Sequence, residues 1–203
     1  MPRVSEEHLE RRRQQILDAA RVCFIRKGLH ETSMQDIFTE SGLSAGAVYR
    51  YFRSKNAIIE AITLTTIGDV RALLTRLAHQ DPVPPLDETI GTVCARLMEL
   101  TENDGPVRLA PQAWALALYD PEVGGHVRET VIAMRDLWAL YIRRLAEAGA
   151  LPADTDAEAA AKALFGLMPG FLLQHLLIGD VTPEDLRHGV RALARQSTLA
   201  APV

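Results

Sequence analysis

Cysteine is nearly absent: the chain of 203 residues has two, Cys23 and Cys94. Both fall on apolar positions of helical patterns, which argues against a disulfide framework, and no CxxC or HxxxH spacing offers a metal site. The catalytic signatures GxSxG, HExxH, the P-loop and GxGxxG are all missing. The six histidines (His8, His30, His79, His126, His175 and His188) stand without partners at any recognisable spacing. No catalytic residue, metal or cofactor is therefore expected, and an enzyme is disfavoured. Long apolar runs are also lacking. The richest, Ala163 to Ile178, is interrupted by Pro169, Gln174 and His175, short of the roughly 18 to 20 uncharged apolar residues that cross a bilayer. The charged start, MPRVSEEHLERRRQQ, has no apolar core of a secretory signal. The expectation is a cytoplasmic protein with no membrane partner.

What is present is the balance of a soluble globular chain, 48% hydrophobic and 24% charged, long enough to bury a core without staples. The net charge of −4 is unevenly spread. Residues 1–55 hold ten Lys and Arg against seven Asp and Glu, whereas the remainder holds twelve against nineteen. A basic head on an acidic body fits a small DNA reader joined to a domain with another task.

Apolar residues recur at spacings of three and four almost throughout, and strand-type alternation is missing, so the chain reads as all-α with about nine helices. A first helix spans Glu6 to Lys27, with Leu9, Ile16, Leu17, Ala20, Cys23 and Phe24 on one side and Gly28 as its stop. Ser33 reads as an N-cap with Asp36 in a capping-box position, opening a short helix that Gly42 ends near Ser41. Ser44 caps a second short helix to about Phe52, and Ser54 caps a long one to about His79. Beyond the break at DPVPPL, helices are expected near 86–102, 107–118, 122–148, 156–178 and 183–196, divided by turns carrying Pro, Gly or Asp.

Residues 33–55 carry the sharpest signal: two short helices joined by a Gly-bearing turn, the helix-turn-helix plan. In that plan the first helix crosses the DNA backbone and the second presents its N-terminal side chains to the major groove. Gly42 supplies the left-handed turn, and Ile37, Leu43 and Val48 form a small core between the helices. Ala45, Gly46 and Ala47 are small enough for close approach to DNA. Tyr49 and Tyr51 cannot both face the core of so short a helix, so at least one phenol faces outward, where its hydroxyl can meet a phosphate. Lys55, at the start of the next helix, has a place suited to phosphate. Few side chains at the tip make bidentate base pairs, so affinity is expected to rest on phosphate contacts and to fall with salt. Arg11, Arg12 and Arg13 are candidates for further backbone or minor-groove contact, or simply a solvated basic helix start.

The run RKGLHETSMQD followed by IFTESGLSAGAVYRYFRSKNAII resembles the DNA-binding region of the tetracycline-repressor (TetR) family. The family pattern is matched without a gap by Gly28, Thr32, Ser33, Ile37, Gly42, Ser44, Gly46, Tyr49, Phe52 and Lys55. The resemblance implies an N-terminal three-helix reader, residues 1–55, and a helical regulatory and dimerisation domain, residues 56–203. It implies that Thr32 and Ser33 touch phosphate and that Ser44, Ala45, Gly46 and Ala47 face the groove. It gives Tyr49, Tyr51 and Lys55 to the DNA backbone, and Arg50 to a base or a phosphate. Phe38 and Ser41 depart from the family's usual Ala, and Asn56 from its usual acidic residue.

For the body, the resemblance implies a homodimer pairing its last two helices with those of a partner. Leu164, Leu167, Met168, Leu172 and Leu176, with Leu186, Val190 and Leu193, are the candidate interface. Pro169 is expected to kink or open its helix. Met98, Trp114, Met134, Trp138, Tyr141 and Phe171, with the polar Gln174 and His175, are the candidate lining of a pocket for a small, largely apolar effector; taken singly, such residues at helical spacing are more often plain core. The implied action is repression of a palindromic operator, relieved when the effector moves the helix after Lys55 and spoils the spacing of two recognition helices. A DNA-binding regulator or architectural factor with no effector is the alternative that the sequence leaves open.

Overall fold

The computed structural model describes residues 6–199, with side chains described as far as residue 194. Among the described residues there are nine α-helices and no strand: α1 (Glu6–Lys27), α2 (Met34–Ser41), α3 (Ala45–Tyr49), α4 (Lys55–His79), α5 (Leu86–Glu99), α6 (Ala110–Ala117), α7 (Pro121–Glu147), α8 (Ala157–Leu177) and α9 (Pro183–Leu199). A single 3-10 turn, Pro106–Leu109, leads into α6. The expected helices are all found, with two refinements. The reading helix α3 is only five residues long, and the segment expected at 107–118 divides into the 3-10 turn and α6. Helix α8 runs unbroken through Pro169.

The packing divides the chain into two compact units, one of residues 1–66 with 103–127 and the other of 67–102 with 128–203. The division expected after residue 55 is therefore not the one the packing makes. The reason lies in the first unit's core. Ile16, Leu17, Ala20 and Phe24 of α1 meet Ile37 and Phe38 of α2 and Val48 of α3, but α4 adds Ile58, Ile59 and Ile62 to the same cluster. Leu109 and Ala113, from far along the chain, complete it. Leu9, expected on the inner face of α1, is 39% exposed.

The second unit is built around Trp138, Tyr141 and Ile142 of α7, Ile90, Val93 and Cys94 of α5, Leu74 and Ala78 of α4, and Leu164, Met168 and Phe171 of α8. Helix α9 is fastened to α5 by Arg191, whose guanidinium bonds the Asp87 carboxylate from Nε at 2.8 Å and from a second nitrogen. Arg144 donates to the carbonyls of Ala78 at 2.6 Å and Gln80 at 2.9 Å, closing the end of α4. By length and composition α8 is apolar enough to cross a membrane, contrary to the expectation from the sequence. It contributes Ala161, Leu164, Met168, Phe171 and Leu172 to the buried interior.

Candidate nucleic-acid interface

The reader is set up by local chemistry at its helix ends. The Ser33 hydroxyl accepts from the Asp36 backbone N–H at 3.2 Å, and Asp36 Oδ2 accepts from the Ser33 N–H at 2.9 Å, closing a capping box at the start of α2. Lys27 donates to the other Asp36 oxygen at 2.6 Å. The Lys27 hydrogen bond, followed by those from Ser33, holds the Asp36 carboxyl well below the usual carboxylate range. At the far end of α2, Gly42 takes φ +64°, a conformation in which a Cβ is strained. The turn reverses the chain so that Ser44 caps α3, its Oγ accepting from the Ala47 N–H at 3.3 Å.

These constraints leave Ser44, Ala45 and Gly46 exposed at the leading end of α3, with Ala47 half-buried behind them and Val48 buried beneath. A Cβ placed on Gly46 meets nothing within 4 Å, so this tip is free for a macromolecular surface. Tyr49 is the outward phenol, 48% exposed. Its ring lies edge-on to Phe38 at 5.5 Å, and that contact gives the unusual aromatic on α2 a role in setting the α2–α3 crossing. Tyr51 is half-buried against the core. Arg50 and Arg53 are exposed.

Two residues expected at the DNA have other duties here. Thr32 is buried, 1% exposed, and its hydroxyl donates inward to the Gly28 carbonyl at 2.8 Å. Lys55 donates to the carbonyls of Leu29 at 2.7 Å, His30 at 3.0 Å and Thr32 at 2.8 Å. Burial lowers the Lys55 pKa from its ordinary value. Arg12 is held by Gln15 at 2.8 Å, and Arg13 lies over the Phe52 ring, so of the three arginines only Arg11 is exposed.

The segment following α5 adds links to the reader that the sequence does not announce. Gln112 of α6 accepts from the Leu29 N–H at 2.8 Å. Asn56 donates to Asp120 at 2.9 Å, which explains why an acidic residue does not stand at 56. Asp120 also caps α7, accepting from the Glu122 and Val123 amides at 3.0 and 3.1 Å. Glu60 faces His126 at 3.0 Å. These pairs are more than sixty residues apart, beyond any periodicity. No acidic residue lies within four positions of the exposed Arg53 on either side.

The expected pocket residues fall in both units. Trp114 belongs to the first unit, and the other seven belong to the second. Met134, Trp138, Tyr141 and Phe171 are buried in the core of the second unit, with Met98 packed half-buried against it. Gln174 is exposed, bonding its own helix at the Gly170 carbonyl. His175 stacks on Phe171 at 6.1 Å, with its Nε2 3.2 Å from the Thr101 hydroxyl. Tyr141 donates to the Pro84 carbonyl at 2.8 Å, and burial pushes its pKa upward. Trp138 Nε1 is buried with no hydrogen-bond partner among the described residues.

The expected dimer residues are also redistributed. Leu164, Met168 and Leu172 are buried within the chain's own core. Leu167, Leu186 and Val190 pack half-buried on the same core, and Leu176 is half-buried. Only Leu193, 72% exposed, stays open.

Residues 16–62 match the sequence profile described as "Bacterial regulatory proteins, tetR family", and residues 88–198, more than half of the chain, match "BetI-type transcriptional repressor, C-terminal". The HTH-type regulator YfiR of Bacillus subtilis is 32% identical over 108 residues, 53% of this chain and 53% of that one, so this match spans about half the relative's length. The HTH-type regulator BetI of Serratia proteamaculans is 27% identical over 88% of this chain and 87% of its own. Among solved structures, Salmonella enterica GusR superposes with a TM-score of 0.74 at 25% identity, covering 95% of this chain and 98% of that one. A SmeT–triclosan complex shares the fold with a TM-score of 0.70 at 22% identity, over 87% and 84%. An exposed, serine-capped reading helix on a Gly42 turn is joined to a body matched by a repressor profile, and the chain belongs to the tetR family of bacterial transcriptional regulators, DNA-binding proteins and not enzymes.

Proposed function

We propose that the protein represses transcription by binding a palindromic operator as a homodimer, and that a small, largely apolar effector releases it. The observation that carries the reading is the tip of α3, where Ser44, Ala45 and Gly46 stand exposed with Tyr49 and Arg50 exposed beside them. Small residues allow the helix into the major groove, while the phenol and guanidinium supply backbone contact. Ser33, exposed at the start of α2, offers a further polar group to a phosphate.

A partner subunit is supported by the outer face of α8. Ala159, Ala163, Gly166, Gly170, Leu173 and Leu177 recur at spacings of four and three, and all but the half-buried Gly170 are exposed. Leu177 is 79% exposed, an apolar surface that a second copy covers at little polar cost. The interface thus uses the opposite stripe of α8 from the one expected. Two such subunits hold their recognition helices about 34–36 Å apart, one DNA turn.

An effector is supported by the unpartnered indole N–H of Trp138, buried in an otherwise apolar core beside Tyr141 at 5.9 Å. A buried donor without an acceptor is costly, and an apolar molecule carrying one acceptor atom relieves that cost. Triclosan, aromatic and apolar, is bound by the structural neighbour SmeT. The effector must favour the arrangement that does not bind DNA. The test is a gel-shift titration against operator fragments with a panel of apolar aromatic compounds. Release by a compound that also raises the melting temperature supports the reading. Stable DNA binding in the presence of every compound moves a non-sensing regulator ahead.

A further inference from the structure

Phosphate contact is expected of the basic residues in the reader, yet most of them are already spent. Arg26 pairs with Glu40, Lys27 with Asp36, Arg21 with Asp18 and Arg13 with Glu10, while Arg12 is bound to Gln15. Among the described residues of the reader, Arg11, Arg50 and Arg53 are the exposed cations without a protein partner. Arg50 and Arg53 flank the end of α3 and the turn into α4, the part that must lie against the DNA backbone once α3 enters the groove.

Lys55 is the opposite case. An ammonium has three donors and no acceptor, and all three are directed at carbonyls, those of Leu29, His30 and Thr32. The three carbonyls belong to the turn between α1 and α2 and lie immediately before the Ser33 cap. Helix α4 begins at Lys55. The side chain therefore pins the start of α4 to the base of the helix that crosses the DNA. Binding a phosphate costs Lys55 at least one of these bonds.

We propose that Lys55 is a positioning residue of the reader, holding the α1–α2 turn against α4, and that Arg50 and Arg53 carry the phosphate charge instead. This rests only on the DNA-binding activity of the family, and not on the operator's symmetry or on an effector.

Salt dependence separates the two roles, because each phosphate neutralised contributes about 0.9 to the slope of log affinity against log salt, whereas a positioning contact contributes nothing. The full chain and the variants Arg53→Gln, Arg50→Gln and Lys55→Met are titrated against a fluorescein-labelled 30-base-pair mixed-sequence duplex across a potassium chloride series. Arg53→Gln and Arg50→Gln are each expected to flatten the slope by about 0.9 per bound protomer. Lys55→Met is expected to leave the slope unchanged while lowering affinity at least about tenfold at every salt concentration, because the hydrogen bonds from a charged group to three carbonyls are lost. A flattened slope for Lys55→Met overturns the proposal. If Lys55→Met does not fold, the exposed arginine variants decide: unchanged slopes in both overturn it, and flattened slopes support it.

Discussion

Gln112 accepts a hydrogen bond from the backbone N–H of Leu29 at 2.8 Å, tying α6 to the turn between α1 and α2. The carbonyl of Leu29 is held by Lys55 at 2.7 Å. One residue is therefore gripped from α6 on its amide side and from α4 on its carbonyl side. Leu109 and Ala113 anchor the same segment in the reader's core.

Replacing Gln112 with Leu removes the acceptor and leaves a part-buried amide without a partner. The expected cost is about 1–2 kcal/mol, read as a fall of about 2–8 °C in melting temperature for a chain of this size. A melting temperature equal to that of the parent protein would show the contact to be dispensable.

Asn56→Asp places a carboxylate where the amide now donates to Asp120 at 2.9 Å. Like charges at that distance disfavour ionisation of the pair. The variant is expected to be less stable than the parent at pH 7. Calorimetry at pH 7 checks the sign.

Adjacent glycines provide an internal control. A Cβ on Gly124 meets the Ala117 carbonyl oxygen at 2.6 Å, whereas one on Gly125 meets nothing within 4 Å. Gly124→Ala is expected to force the α6–α7 corner apart and to lower the melting temperature. Gly125→Ala, within the first turns of α7, is expected to be neutral or to gain about 0.5–1 kcal/mol from helix propensity.

The Asp36 carboxyl is depressed below the ordinary 3.8, chiefly by Lys27 and then by Ser33. A depressed folded-state value contributes stability that is present above the unfolded value and lost as the pH falls through the folded one. The melting-temperature gap between the parent and Asp36→Asn is therefore expected to be full at neutral pH and to close below about pH 4. A gap independent of pH would contradict the ion-pair origin.

Leu173→Glu combined with Leu177→Glu charges the exposed stripe of α8 and is expected to give a folded monomer in sedimentation equilibrium. Leu164→Ala, at a residue 8% exposed, is expected to lower stability by about 2–5 kcal/mol while the folded fraction remains dimeric.

The reader was largely legible because its signals are local. Ser33 with Asp36, Gly42 and Ser44 each act within four residues, and the structure places a cap or a left-handed turn at each. The hydrogen bonds of Thr32 and Lys55 could not be read for the opposite reason: their partners are carbonyls around a turn whose path is fixed by tertiary packing. The inner and outer stripes of α8 could not be told apart, since the helix is apolar nearly all round and periodicity has no polar face to detect. Burial follows Leu164, Met168 and Phe171, while the small residues and the last leucines face outward. The place of Gln112 in the reader was invisible because Leu29 is eighty-three positions away.

Genome-fragment selection with the purified protein, followed by hydroxyl-radical footprinting of the fragments retained, tests the central claim most directly. The expected result is one enriched inverted repeat whose two protected half-sites lie on one face of the duplex, about one helical turn or a multiple of it apart. Retention of fragments that share no sequence, with binding that simply fades as salt rises, would contradict a specific operator-binding repressor.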